Sequence, residues 1–283
     1  MAFRSPGTLV GRTHGPVIVA ALAIFLGGTF ASFANAQSAP ETLMDPDRAR
    51  PQAEGIGTVR VENWFDFQRN IDGSEQWQYW PRFYIPFNLP RGWTFTQRID
   101  LPVAYTDAVG PANPGGAWKS GIGDWFIEEY LTTPEVAKNT TVTASVRFVF
   151  RTGGSAPFGS NQYQWAPGIG MNYAIPEHGV TIGPYARYFI SYHATREGAA
   201  RVRTLDLFPT VTFDFKDAWA LSFYSENPVV YNDVINKWFV PIDVLLTKRV
   251  NKSFGFGVGG AYGLVKDDPR YQYVINGRVT FYF

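Results

Sequence analysis

From residue 58 onwards apolar and polar side chains alternate, and the alternation restarts after each Gly-, Pro- or Asn-rich interruption. A period of two is the mark of a strand whose two faces meet different surroundings. Twelve segments carry it: 58–69, 76–89, 93–105, 123–133, 141–151, 162–174, 180–193, 201–215, 219–228, 238–250, 254–265 and 271–283. In TVTASVRFVFR the even positions are Val142, Ala144, Val146, Phe148 and Phe150, while Thr143, Ser145, Arg147 and Arg151 share the other face. In VTIGPYARYFISYH, Val180, Ile182, Ala186, Tyr188 and Ile190 oppose Thr181, Gly183, Tyr185, Arg187 and Ser191. The final segment, YQYVINGRVTFYF, is aromatic, and an open sheet edge of that kind would pair with any strand it met. The first and last strands are therefore expected to close on each other.

Strands of this length, in an even number and greasy on one face, predict a closed transmembrane antiparallel β-barrel of 12 strands. A secreted soluble sandwich also alternates, but it has no use for an apolar face such as Trp93, Phe95, Ile99, Leu101 and Val103 backed by Thr94, Thr96, Arg98 and Asp100. The start of the chain fits export. Arg4 and Arg12 precede an uncharged apolar run, and Ala34-Asn35-Ala36 has the small-x-small form of a cleavage site. The expected organisation is a cleaved signal peptide at 1–36, a disordered periplasmic segment at 37–55 and a barrel at 56–283. Loss of Arg4 and Arg12 would take the formal charge from +1 to −1, and nothing points to a nucleic-acid partner. With no cysteine there is no disulfide framework.

With both termini periplasmic, the turns NLPRG, TPEVAKN, IPEHG, KDA and VNKS are short. The opposite connections, NIDGSE, TDAVGPANPGGAWKSGI, TGGSAPFGSN, ATREGAA, the stretch around PVVYNDVIN, and KDDPR, are mostly longer. Short periplasmic turns and longer extracellular loops are the outer-membrane pattern. Seven prolines (Pro81, Pro86, Pro102, Pro167, Pro184, Pro209 and Pro241) fall inside the segments, where each removes a ladder donor. They mark bulges, strand ends or displaced boundaries.

The polar parity places charges in the interior. The lumen-lining candidates are Arg82, Arg98, Asp100, Glu128, Arg147, Arg187, Asp206, Asp243 and Arg278, within a wider set that includes Arg60, Glu62, Asp66, Asp124, Arg151, Asp214, Glu226 and Arg249. The signs are mixed, so the set resembles neither an acidic nor a basic selectivity ring. It suits either a lined solute path or salt bridges that brace the wall. Gly168 with Gly170, and Gly255 with Gly257 and Gly259, have inward parity and would leave space for a channel, an inward-folded loop such as 106–120, or backbone curvature. Trp64 and Trp80 also have inward parity, whereas most tryptophans sit near strand ends, as interfacial girdles do.

Catalytic signals are weak. Ser191 and His193 share a face but lie roughly 6–7 Å apart along a strand, and no catalytic residue is assigned. Asp267-Asp268 offers too few oxygens for calcium and reads as a solvated turn. No metal or cofactor is expected.

The ordered motifs GIGDWFIEEYLT (121–132), VRFVFRTGG (146–154), QWAPGIGMNYA (164–174), YARYFISY (185–192), LDLFPTVTFDF (205–215) and KWFVPIDVLLTKRVNKSFGFGVGGAYGLV (237–265) resemble the MetA-pathway of phenol degradation family of outer-membrane proteins. RTGG at 151–154 and Ile242-Asp243 depart from that family's usual residues. The resemblance implies a transporter-like barrel in the outer membrane of a Gram-negative bacterium, moving small solutes, apolar or aromatic ones among them, by passive or facilitated diffusion. Its partners would be outer-membrane lipid and lipopolysaccharide, the barrel assembly machinery and an unidentified small solute. A non-transporting structural or interaction barrel with an occluded lumen is the alternative, and a lipid hydrolase a minor third.

Overall fold

The computed structural model describes residues 58–194 and 201–283; the expected signal peptide and the 37–55 segment lie outside them. Fifteen antiparallel β segments follow in chain order: β1 (Arg60–Asn70), β2 (Glu75–Asn88), β3 (Thr94–Asp100), β4 (Val103–Thr106), β5 (Lys119–Ile122), β6 (Trp125–Thr132), β7 (Thr140–Phe150), β8 (Gln162–Ile175), β9 (Val180–Ala194), β10 (Arg203–Asp214), β11 (Trp219–Phe223), β12 (Val229–Asn232), β13 (Lys237–Arg249), β14 (Phe254–Lys266) and β15 (Tyr271–Tyr282). β3 with β4, β5 with β6, and β11 with β12 each continue one line, so fifteen segments build twelve staves. Each stave pairs with the next, and β1 pairs with both β2 and β15. The barrel is closed. Its seam runs from Arg60 opposite Tyr282 to Asn70 opposite Tyr271, and the Phe283 amide donates to the Val59 carbonyl. The aromatic last strand leaves no free edge.

Three expected strands are corrected. The 93–105 segment breaks at Leu101-Pro102 into β3 and β4. Its partner begins at Lys119, inside the stretch read as the 106–120 loop, and breaks at Gly123-Asp124. The 219–228 segment ends at Phe223 and resumes as Val229–Asn232, residues assigned to a loop on sequence alone.

The prolines explain these breaks, because each sits where a ladder donor would have no use. Pro81 faces the β3–β4 break, where its carbonyl accepts from the Leu101 amide at 3.1 Å. Pro209 faces the β11–β12 break: β10 pairs with β12 as far as Leu207 and with β11 from Val211. Pro241 lies at a register shift against β14. Pro167 and Pro184 border gaps in the β8–β9 pairing, and Pro86 lies beyond the start of β1. Gly123 is packed against Pro102, so a Cβ there would lie 2.7 Å from the proline ring.

One end of the barrel carries the short turns. Three are single 3-10 turns at Pro90–Gly92, Pro176–His178 and Lys216–Ala218. Left-handed residues tighten them, among them Gly92 at φ 80° and Gly179 at φ 61°. The other end carries the longer loops. In the β1–β2 turn, Asp72 accepts from the Ser74 hydroxyl and amide, which hold its carboxyl below the usual range. The 107–118 loop folds onto the β7–β8 loop, with Asn113 fully buried and the Ala112 amide donating to the Ala156 carbonyl. Asp268, expected in a solvated turn, is buried; it accepts from Asn232 and Arg270 and ties its loop to the end of β12.

The outward parity forms an apolar belt. Trp77, Trp125, Trp165 and Trp238 are exposed near the loop end, Phe87, Phe213 and Phe281 near the turn end, and Ile169, Val258 and Ile275 lie between. In water this belt would be a large apolar patch of the kind soluble proteins avoid. In a bilayer it is the lipid-facing band with its aromatic girdles.

Candidate functional site

The inward parity carries a ladder of arginines and carboxylates. Arg82, Arg98, Asp100, Glu128, Arg147, Arg187, Asp206, Asp243 and Arg278 are all buried, none more than 8 % exposed. Strand register brings them together. Glu62, Arg82 and Asp100 share a rung across β1, β2 and β3. Arg98, Glu128 and Arg147 share another across β3, β6 and β7. Arg187 lies opposite Asp206 on β9 and β10, and Arg278 opposite Trp64 on β15 and β1. Directly opposed side chains are the pairs that interact most strongly in a sheet.

Glu128 is the hub of one half. It accepts from two Arg147 nitrogens, Nε at 2.6 Å and Nη2, and from Arg187 Nη1 at 2.9 Å. Tyr185 donates to it at 3.0 Å, and Arg98 lies 3.9 Å away. Arg187 stands on β9, which does not pair with β6. It reaches Glu128 because the intervening β8 carries only Ala166 and Gly168 on its inner face there, opposite Arg147 and Ser145. Gly168 therefore leaves no opening at this level, and Gly170 borders a cavity only on the turn side. The Tyr185 side chain covers both, and any Cβ at either position would collide with it.

Asp100 and Glu62 organise the other half. Asp100 accepts from Arg98 Nε at 2.7 Å and Arg82 Nε at 2.9 Å. Glu62 accepts from Arg60 Nε at 2.9 Å and Trp64 Nε1 at 3.0 Å. Its pairs with Arg82 and Arg278 are longer, both 3.7 Å. Arg82 Nη1 also donates to Glu226 at 3.1 Å, on a wall that no pairing joins to β2. That contact crosses the lumen. It exists because stave nine is interrupted: Tyr224 takes φ 53°, and Asp243 accepts from the Glu226 amide at 3.1 Å and the Asn227 side chain at 2.8 Å. Asp243 thus holds the bulge that presents Glu226.

Aromatic rings fill the remaining volume. The Arg60 guanidinium lies 3.6 Å from the Tyr84 ring centre, and that of Arg147 lies 4.0 Å from Phe126. Arg82 and Arg278 flank Trp64 at 5.1 and 4.9 Å. Cation–π contacts of this kind help keep desolvated guanidinium groups in place. Tyr84 and Tyr130 were not among the sequence candidates, yet each stands two residues from one of them, Arg82 and Glu128, and so shares its face. Parity alone could have found them.

Some of the wider set leaves the ladder. Asp124, at the β5–β6 break, accepts from the Gly153 amide and from the Ser160 amide and hydroxyl, and so anchors the β7–β8 loop. Arg249 donates to the Asn251 and Lys252 carbonyls in the turn after β13. Ser191 accepts from the Val202 amide at 3.0 Å, and the His193 side chain lies outside the described residues. Among the described residues no group of three His, Cys, Asp or Glu is placed to hold a metal ion.

On the turn side of the ladder the interior opens. One cavity of about 50 Å³ is bounded by Thr143, Gly170, Tyr185, Phe208 and Thr210. A second, also of about 50 Å³, is bounded by Ser222, Leu245, Thr247, Arg278 and Thr280. They share Thr210, Thr212 and Ser225. The barrel therefore holds a hydroxyl-lined vestibule beneath a layer of paired charge.

No family model matches the chain, and no curated protein matches it. Among solved structures it is similar to an outer-membrane channel from Pseudomonas putida F1, at 12% identity and a TM-score of 0.63, over 87% of this chain and 100% of that one. It is also similar to the NanC porin, at 12% identity and a TM-score of 0.51, over 80% of this chain and 98% of the porin. The β domain of the Bordetella autotransporter BrkA matches at 10% identity and a TM-score of 0.50. Likeness at these identities speaks to fold. The chain is a twelve-staved antiparallel β-barrel of the outer-membrane type.

Proposed function

We propose that the chain is an outer-membrane channel for small solutes, with the arginine–carboxylate ladder as its constriction. The contact across the lumen between Arg82 and Glu226 carries this reading. It narrows the barrel at one level, while the vestibule on the turn side stays open. Threonine and serine hydroxyls line the space on that side, as suits a wetted path. The outer-membrane channel from Pseudomonas putida F1, whose whole length aligns with this chain, supports passive or facilitated passage. We further propose membership of the phenol-degradation pathway family, on the motifs between 121 and 265. Outer-membrane lipid, lipopolysaccharide and the barrel assembly machinery are the partners that setting supplies.

The occluded structural barrel is the second reading, favoured by the completeness of pairing around Glu128. The two readings differ in conductance. The full-length protein, folded and inserted into planar bilayers, is expected to conduct in small discrete steps. Single Arg98→Ala, Arg147→Ala and Arg187→Ala variants, checked for folding by heat modifiability on gels, should change the step size in at least one case. No conductance in the parent, or identical steps in all three, would leave these arginines as braces.

A further inference from the structure

The lipid-facing parity is broken in one place. Away from the ends of the staves, the outward positions among the described residues are apolar or aromatic, except for Asn63, Gln97 and Glu129. Asn63 is satisfied, because it accepts from the Tyr79 hydroxyl at 2.6 Å. Gln97 on β3 and Glu129 on β6 lie directly opposite each other, and among the described residues neither side chain has a hydrogen bond or ion pair. Glu129 is four residues from Trp125 and three from Thr132, the two ends of β6, and so lies in the middle of the belt. Apolar side chains surround the pair. Ile85 and Val146 flank it in its own rung, Ile99 and Ile127 stand in the rung towards the loops, and Phe95 and Leu131 in the rung towards the turns. At this depth lipid offers a carboxylate neither water nor a headgroup. A bond between the two would not complete them, since Gln97 brings two donors and Glu129 accepts at both oxygens.

We propose that this face is the interface between two copies of the chain, in which Glu129 accepts from the partner's Gln97 and Gln97 donates to the partner's Glu129. The pair is complementary to itself. Both copies insert with the same end towards the periplasm, so a two-fold axis relating them stands along the membrane normal, between the barrels. With that axis facing the line between β3 and β6, the donor of each copy meets the acceptor of the other, and the apolar rungs above and below pack against their counterparts. Polar side chains within a bilayer hold neighbours together in this way because hydrocarbon offers them no other partner. The proposal is independent of what crosses the lumen, since Gln97 and Glu129 face away from it.

The test is sedimentation equilibrium of the folded full-length protein in density-matched detergent, over a range of protein-to-detergent ratios. The parent is expected to be a dimer. Glu129→Leu and Gln97→Leu should each weaken it by about tenfold or more, because each removes the bond on both sides of the axis. The double variant should lose no more than either single one, as befits two residues that act as a pair. A second measurement leaves both polar side chains in place. The chain has no cysteine, so Ile99→Cys and Ile127→Cys, made one at a time, each give a single thiol beside the pair. At least one should form a disulfide-linked dimer on oxidation in lipid vesicles, and Leu246→Cys, on the far wall, should not. A parent that stays monomeric at every ratio would mean that lipid alone covers this face, and would overturn the proposal. So would unchanged association in the folded leucine variants, no linkage beside the pair, or equal linkage at Leu246.

Discussion

Two arginines of the same barrel, on the same inward parity, are in opposite states. Arg147 makes two short bonds to Glu128, on a wall where Arg187 and Tyr185 serve the same carboxylate. Arg278 faces a carboxylate only at 3.7 Å, and its Nε and Nη1 are buried without a hydrogen-bond partner. Neighbouring staves account for the contrast. Beside Arg147 the small inner residues of β8 let a partner from two staves away reach in. Beside Arg278 the register sets Gly257 of β14, which brings no side-chain partner. A small residue admits a distant partner in one place and supplies none in another, depending on what stands behind it.

The largest effect that would sharpen this contrast comes from Glu128→Ala. It leaves Arg147 and Arg187 buried without their shared counter-charge, so the barrel should lose about 3–5 kcal/mol. Urea unfolding of the detergent-folded protein measures this; a loss under about 1 kcal/mol would mean the hub is wet and screened. Next is Asp124→Ala, which removes three hydrogen bonds holding the β7–β8 loop. A cost of about 2 kcal/mol follows from losing bonds to a charged acceptor, together with faster proteolysis at residues 151–161. The smallest effect belongs to Arg278→Gln. With no short ion pair to break, its stability should stay within about 1 kcal/mol of the parent. Should it fall as far as the Glu128 variant, the distinction between closely and loosely paired arginines collapses.

Much of the fold was legible from alternation. Parity placed Thr143, Arg147 and Arg187 inside and Phe148 and Ile182 outside, because a strand has only two faces. It could not tell which of two prolines in contact would break a stave. Pro184 and Pro209 lie opposite each other, yet only the partner across from Pro209 is interrupted. That depends on which neighbour each missing N–H would have faced, and the neighbour is a matter of register. The same limit hid Tyr84 and Tyr130, whose roles follow from the guanidinium groups that register sets beside them.

By itself, then, the sequence determined that this chain makes amphipathic strands that must close, with charge within and aromatics without, since one residue's side follows from its place in the count. Register and closure then settled which arginine meets which carboxylate and where Arg82 reaches Glu226 across the lumen. Those outcomes depend on residues far apart in the chain, and their distances are set when the last strand pairs with the first.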